Sequence, residues 1–150
     1  MNKLLSLLLV LLFTQSCSFK PMLADKSYNF KFVNIKFEGD RNINQILNQE
    51  LKDISKGKKE YDIYFKTKKN KEIVSSNAKG DPEKFRLEIS LDYNLIFNGD
   101  TLIKNSVSKE STYNNINDKF ELSQFEKNII KNLTKELFQT MLMSVTAIDS

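Results

Sequence analysis

One segment fixes what this chain can fold into: residues 85–97 alternate strictly between apolar and polar side chains. Apolar residues take every second position, and the positions between them are polar as far as Asn94. A period of two is typical of a β-strand that buries one face and leaves the other in water. The chain must therefore build a sheet that is covered on one side. The apolar positions are Phe85, Leu87, Ile89, Leu91, Tyr93, Leu95 and Phe97.

Weaker patterns place five more elements around this strand. Alternation predicts strands over 28–37, 61–66 and about 101–113, and helical spacing of apolar residues predicts a helix over roughly 41–55. A long helix follows Asp118, since Asp118 with Glu121 and Ser123 with Glu126 both match a capping box, and its apolar stripe runs to Leu142. The order β-α-β-β-β-α predicts an α+β fold, a two-layer sandwich. Its four-stranded sheet is mainly antiparallel or mixed, and both helices pack on one face.

Two stretches before the main strand carry local expectations. In the first strand the alternation changes phase between Phe32 and Val33, which predicts a bulge or a late strand start. After Lys66, a Lys/Asn-rich stretch is interpreted as a loop, with Ile73 and Val74 as a continuation of the second strand.

The turn after the main strand decides the register of the fourth strand. Asn98-Gly99 is a hairpin signal. An odd-numbered loop places Ile103 and Val107 on the face of the apolar row, whereas a two-residue loop places them on the polar face. The first alternative is preferred, as a three-residue loop over 97–99 with Gly99 left-handed.

Composition excludes several classes of site. The chain has no histidine and one cysteine, so no His-based triad and no Cys/His metal site can form, and no internal disulfide. No pair of acidic residues is arranged as a catalytic pair. The chain is therefore predicted not to be an enzyme and to need no cofactor.

Positive charge is concentrated in one stretch. The net charge is +4, yet eight lysines stand against four acids between Lys52 and Glu72. This excess indicates either a patch that faces an anion or a solvated loop. Arginine is nearly absent, with only Arg41 and Arg86, so bidentate phosphate contacts are scarce.

The N-terminus has the form of a bacterial lipoprotein signal. A positive Met1-Asn2-Lys3 precedes an apolar run over 4–13, which is too short to span a bilayer. Ser16 then precedes Cys17, the only cysteine. The alternative is an ordinary cleaved signal with an incidental cysteine.

This interpretation divides the chain into four parts. Residues 1–16 are the signal peptide, 17–27 a lipidated tether, 28–145 a single domain and 146–150 a flexible tail. Cys17 would carry an S-linked diacylglycerol and an N-linked acyl chain, which together anchor a protein stably. Ser18 follows the lipidated position where an aspartate would favour retention in the inner membrane. The expected location is therefore the outer membrane, facing the periplasm.

The mature N-terminus and the order of elements resemble the LPS-assembly lipoprotein LptE family, in its alphaproteobacterial form. Members of that form begin Cys-Gly-Phe-x-Pro-Leu-Tyr, and this chain has Cys17-Ser18-Phe19-Lys20-Pro21-Met22-Leu23. The resemblance continues through the Gly39-Asp40 turn, Tyr61-Asp62-Ile63, the strand 85–97 and the terminal helix.

The resemblance implies partners rather than a reaction. Family members plug the lumen of the outer-membrane β-barrel LptD, assist its assembly and help deliver lipopolysaccharide to the outer leaflet. By position, Lys79 lies where the family presents a basic residue implicated in lipopolysaccharide contact. Nearby candidates for the same role are Lys84, Arg86, Lys104 and Lys109. No nucleic-acid partner is implied.

Two other functions fit the sequence. One is a generic scaffold or adaptor lipoprotein of the outer membrane that handles no lipid. The other is a periplasmic carrier that holds an acyl chain between helices and sheet, which would require an underfilled interior. The dense apolar residues of the main strand and the last helix favour a filled interior instead.

Overall fold

A computed structural model describes residues 28–54 and 57–149. The predicted signal peptide, Cys17 and the tether lie outside the described residues. The six elements follow the predicted order. They are β1 (Phe30–Gly39), α1 (Arg41–Leu51), β2 (Lys59–Ser76), β3 (Pro82–Phe97), β4 (Asp100–Asn114) and α2 (Lys119–Asp149).

The strands form one mixed sheet in the order β1-β2-β3-β4. β1 is parallel to β2, because α1 lies between them and returns the chain to the starting edge. The other two pairs are antiparallel and are joined by short turns. Both helices cover the same face, which we call the helix face. The opposite side of the sheet is the open face.

The core lies between the helix face and the helices. The odd-numbered row of β3 predicted from sequence is buried from Leu87 to Leu95. α1 contributes Ile43, Leu47 and Leu51, and the middle and end of α2 supply a longer apolar stripe. This interior is dense in apolar side chains among the described residues, as the sequence predicts. Its largest fully buried side chains are Tyr61, Tyr93, Phe30, Phe65, Ile43, Leu47, Ile63, Leu87, Ile89, Leu91, Leu95 and Leu137.

The phase change in β1 is a bulge, as predicted. The pairing with β2 shifts between Phe32 and Ile35, so that two residues of β1 stand opposite one of β2. The bulge keeps Phe30 and Phe32 on the helix face and then returns Ile35 and Phe37 to that face. All four contribute to the core or pack against it.

The register of β4 is predicted correctly, but the turn that produces it is not. Ile103 pairs with Leu95 and Val107 with Leu91, so both lie on the helix face. The turn itself has two residues, Asn98 and Gly99, both with positive φ. A shift in pairing between Leu95 and Ile96 inserts one extra residue, Leu102, into β4. The extra residue returns Ile103 and Val107 to the face of the apolar row, as an odd-numbered loop would have done. A tight turn followed by a bulge thus replaces the predicted three-residue loop.

Three predicted boundaries are wrong. The Lys/Asn stretch after Lys66 is not a loop, because β2 continues through it to Ser76 and pairs with β3. α1 ends at Leu51 rather than near 55. The predicted tail is helical as far as Asp149, whose carboxylate accepts a hydrogen bond from Tyr61 at 3.0 Å.

Candidate functional site

The five candidate basic residues occupy three separate places. Lys84, Arg86 and Lys104 lie on the open face, where they share rows with polar residues of neighbouring strands. Lys79 lies in the turn between β2 and β3. Lys109 pairs with Ile89 and therefore lies on the helix face, where Glu136 of α2 is 3.4 Å away. Lys109 is thus on the other side of the sheet from the rest.

The β2–β3 turn is held by one asparagine side chain. The Oδ1 atom of Asn77 accepts hydrogen bonds from the backbone amides of Lys79 and Asp81, each at 2.9 Å. Gly80 completes the turn with a φ of 88°. The Lys79 side chain is exposed, and no ion pair reaches it from the described residues. The sequence therefore builds a defined turn that presents one lysine to solvent.

Lys84 lies close to this turn, at the end of a shallow depression. That depression is lined mainly by amides and by two acids, Asp81 and Glu83. Lys84 is exposed and has no ion pair among the described residues. We call Lys79 and Lys84 the distal lysines. They are the only pair of candidates that the described structure brings to one end of the sheet.

Arg86 is occupied by acidic neighbours. Its Nη1 atom lies 3.0 Å from Glu72 on β2, and its Nε atom lies 3.7 Å from Glu110 on β4. Glu88 is adjacent on the same face, so this band of the open face is acidic. An anion approaching Arg86 would meet three carboxylates, which argues against a direct role in anion binding.

Lys104 belongs to a second basic region at the other end of the sheet. It shares a cross-strand row with Asn94, Tyr64 and Lys36. Three strand spacings place the Lys36 and Lys104 backbones about 14 Å apart. Both lysines are exposed and have no ion pair among the described residues. Sequence reasoning missed Lys36, although its position between Ile35 and Phe37 marks it as an open-face residue.

The candidates cannot hold one anionic group together. Lys84 lies ten residues along β3 from Asn94, the partner of Lys104, which is about 33 Å of strand. The acidic band around Arg86 lies between them. The open face therefore carries candidate lysines at both ends, with the acidic band around Arg86 between them.

The basic stretch 52–72 is neither a loop nor a single patch. From Lys59 onward it is a strand, so its lysines alternate between the two faces. Lys66 is 3.1 Å from Glu38 on the open face, and Lys69 is 3.3 Å from Asp40 on the helix face. Only Lys68, within the part of β2 that the structure describes, lacks an ion pair.

A partly buried polar cluster ties α2 to the far half of the sheet. Glu126 accepts hydrogen bonds from Lys71 at 2.5 Å and from the Tyr113 hydroxyl at 2.7 Å. The Lys71 ammonium also lies 4.1 Å from the centre of the Phe85 ring. Burial raises the pKa of Tyr113, and so does its hydrogen bond to Glu126. Burial alone would raise the pKa of Glu126, but the two hydrogen bonds outweigh it and lower that pKa below 4.5.

This cluster predicts how stability depends on pH. Because the pKa of Glu126 is depressed on folding, its contribution is fully present above pH 4.5 and is lost as the pH falls below that value. We expect Glu126→Gln to lower the free energy of unfolding by about 1.5 kcal/mol at pH 7. Urea titrations should show the difference from wild type shrinking at pH 3.

A matched control is Glu136→Gln, which removes an exposed pair with Lys109. That substitution should change the free energy of unfolding by about 0.5 kcal/mol or less at either pH. A difference for Glu126→Gln that stays constant between pH 7 and pH 3 would contradict the assignment.

The open face is the candidate surface for a partner or a ligand. In the described residues no three acidic or cysteine side chains are grouped as a metal site. No helix in the described part of the chain has both the length and the apolarity to cross a membrane. What the structure offers is a polar sheet face with lysines at its two ends.

The fold recurs in solved structures of bacterial lipoproteins. Rare lipoprotein B from Shewanella oneidensis matches with a TM-score of 0.57 and 8% identity, over 79% of this chain and 100% of that chain. A minor lipoprotein from Acinetobacter baumannii matches with a TM-score of 0.58 and 10% identity, over 82% and 94%. An uncharacterised lipoprotein B from Nitrosomonas europaea gives 0.60 and 16%, over 81% and 87%.

These likenesses establish the fold. No protein-family model matches the chain, and no curated protein matches it.

Proposed function

We propose that this chain is a non-catalytic lipoprotein of LptE type, lipidated at Cys17 and anchored in the outer membrane facing the periplasm. Its domain plugs the β-barrel LptD, assists assembly of that barrel and takes part in lipopolysaccharide delivery. The observation that carries the proposal is the uncovered polar open face, in a fold shared with bacterial lipoproteins.

The open face suits the lumen of a barrel. Along β2 and β3 it carries Tyr64, Lys66, Asp92 and Asn94 over one half, and charged residues over the other. Barrel lumens are lined by polar side chains, so a plug has to present hydrogen-bond donors and acceptors. An uncovered polar face of this extent gives a single domain many such groups without exposing its core.

The charge pattern along the sheet supports contact with an anionic lipid at one end. Lipid A carries phosphates, which lysines meet as point charges. The distal lysines are exposed and have no ion pair among the described residues, and Lys79 stands on a turn that Asn77 holds in shape. They are therefore the proposed lipopolysaccharide contacts, with Lys104 as a separate basic site.

Isolation from detergent-solubilised outer membrane tests the partner. The protein is tagged after Ser150 and extracted without crosslinking. It should bring down a large outer-membrane β-barrel in near-equal molar amount. Recovery of the protein alone, or with soluble proteins only, would contradict the barrel partner.

Charge reversal tests the lipid contact. We expect Lys79→Glu with Lys84→Glu to weaken lipopolysaccharide binding about tenfold at physiological salt, because two attractive charges become repulsive. Binding is measured with purified protein and fluorescent lipopolysaccharide. The control is Lys109→Glu, a lysine reversal on the helix face that should leave binding within about twofold.

The double variant should keep the wild-type circular dichroism spectrum, since both side chains are exposed. Unchanged binding in the double variant would exclude the distal lysines as lipid contacts.

A scaffold that handles no lipid is the second candidate function. The position of Arg86 between Glu72 and Glu110 favours it, because this pairing separates the basic residues into two distant groups. A scaffold would give barrel or adaptor recovery, with only background lipopolysaccharide binding that neither charge reversal changes.

A further inference from the structure

One edge of β2 is left unpaired over half of its length. β1 pairs with β2 only as far as Gly39 opposite Thr67, whereas β2 continues to Ser76. No described strand lies beside β2 beyond that point on the β1 side. We call Lys68–Ile73 on this side the free edge.

The backbone of the free edge offers hydrogen bonds at alternate residues. The Thr67 carbonyl accepts a bond of 3.3 Å from the amide of Asp40, so the peptide groups of Thr67 point towards the β1 side. Peptide groups in a strand alternate in direction. Those of Lys69, Lys71 and Ile73 therefore also point outward, while the residues between them point towards β3.

Exposed apolar side chains lie at the end of this edge. Ile73 is 56% exposed and stands on the helix face next to Phe85, while Val74 is 44% exposed. The Phe85 ring contacts the Tyr113 ring, which in turn contacts Phe125 of α2, so the apolar side chains form a row. Phe125 is 43% exposed. The row is uncovered beside Ile73 because β1 ends opposite Thr67 and α1 turns back from there.

This edge differs from the free edge of β4, while β1 forms the remaining outer edge of the sheet. Natural edge strands are protected by charges or bulges, and the free edge carries lysines of this kind, so it differs from β4 in its apolar side chains and in where its bulges lie. In β4 the bulge lies at the start of the strand, and Leu102 is its only large apolar side chain exposed among the described residues. In β2 the irregularities fall after Ile73, so the pairing with β3 is regular from Lys68 to Ile73.

The neighbouring tether is too short to occupy this edge. Residues 18–27 span at most about 36 Å when fully extended. The chain from Tyr28 to Gly39, which lies opposite Thr67, already takes about 36 Å, since it spans eleven residue steps. The predicted tether therefore cannot pair with Lys69, Lys71 and Ile73.

Charge identifies the segment further. Lys69 and Lys71 are neutralised by Asp40 and Glu126, but Lys68 is exposed on the open face and has no ion pair among the described residues. An acidic side chain beside Lys68 would be attracted to its ammonium group, whereas a basic side chain would be repelled by it.

We propose that the free edge binds an extended segment of a partner protein, which adds to the sheet as a strand in line beyond β1. The segment carries an acidic residue beside Lys68 and an apolar residue beside Ile73. Backbone hydrogen bonds supply the affinity, and these two side chains supply the preference. The inference does not depend on lipopolysaccharide contact, but the exclusion of the N-terminal segment rests on the proposed cleavage before Cys17.

The test uses the full-length protein in detergent and an acetylated peptide, Thr-Val-Glu-Val-Thr-Val-Glu-Val-Thr, at about 1 mM. Amide hydrogen exchange is followed by NMR. Without peptide, the amides of Lys69, Lys71 and Ile73 should exchange much faster than those of Asn70 and Glu72. With peptide, the three fast amides should slow at least tenfold.

Two N-methylated peptides provide the control without altering the protein. One carries methyl groups on the odd-numbered amides, and the other carries them on the even-numbered amides. An added strand uses only one of these sets, so one peptide should keep its affinity and the other should bind at least tenfold more weakly.

Three results would overturn the proposal. The first is equal binding of the two methylated peptides, and the second is protection of β4 amides instead. The third is failure of the peptide to slow exchange at Lys69, Lys71 and Ile73. Two results without peptide would also contradict a partner protein. Slow exchange at these amides that depends on protein concentration would show that a second copy occupies the edge. Slow exchange that does not depend on concentration would show that this chain occupies it.

Discussion

Replacing Gly39 with alanine is expected to lower the free energy of unfolding by about 3 kcal/mol. Gly39 has a φ of 101°, and a Cβ atom built there would lie 1.9 Å from the Thr67 carbonyl oxygen. A left-handed conformation costs alanine about 1–2 kcal/mol, and the clash forces the β1–β2 pairing to move as well. The movement would also disturb Asp40, whose carboxylate caps α1 through the amides of Asn42 and Ile43. Urea unfolding monitored by circular dichroism measures the change.

Gly99→Ala is the matched control. Gly99 has a φ of 90°, yet a Cβ atom there would meet nothing within 4 Å. We expect a loss of about 1 kcal/mol from the backbone conformation alone. Equal losses at Gly39 and Gly99 would show that close approach of the two strands contributes nothing at Gly39.

Replacing Cys17 with alanine is expected to move the protein from the membrane fraction to the soluble fraction almost completely. Each buried methylene of an acyl chain contributes about 0.8 kcal/mol, so loss of two or three chains removes the whole anchor. Fractionation of cells expressing each form, followed by immunoblotting, measures the change.

Ser18→Ala is the control for this experiment, because it alters the neighbouring residue and keeps the thiol. It should remain in the membrane fraction. Retention of the Cys17→Ala form in membranes after a salt wash would show that something other than a thioether-linked lipid anchors the chain.

The order of elements could be predicted because each element carries its own period. The apolar row of β3, the phase change in β1 and the stripe of α2 are local patterns, and the structure shows all three. The extent of β2 could not be predicted this way. Lysine and asparagine have low strand propensity, and pairing with β3 overrides that preference along residues 66–72.

The end of α2 depends on contacts that are distant in sequence. Asp149 is held by Tyr61 and by Lys59, whose ammonium lies 3.0 Å from it. Nothing in the last residues of the chain indicates these partners, which is why the sequence predicts a flexible tail over 146–150.

The candidate site was only partly predictable. The register that places Val107 on the helix face also places Lys109 there, because the two residues are two positions apart. The sequence therefore already allows the prediction that Lys109 lies on the other face from the remaining lysines. The pairing of Arg86 with Glu72 and Glu110 was not, since it depends on the register of both neighbouring strands.

The intact mass of the protein extracted from the outer membrane tests the lipid anchor at Cys17. We expect a mature chain that begins at Cys17 and carries a diacylglycerol together with an N-linked acyl chain. A chain with a free Cys17 thiol and no fatty acid would contradict the anchor, and with it the proposed location and partner.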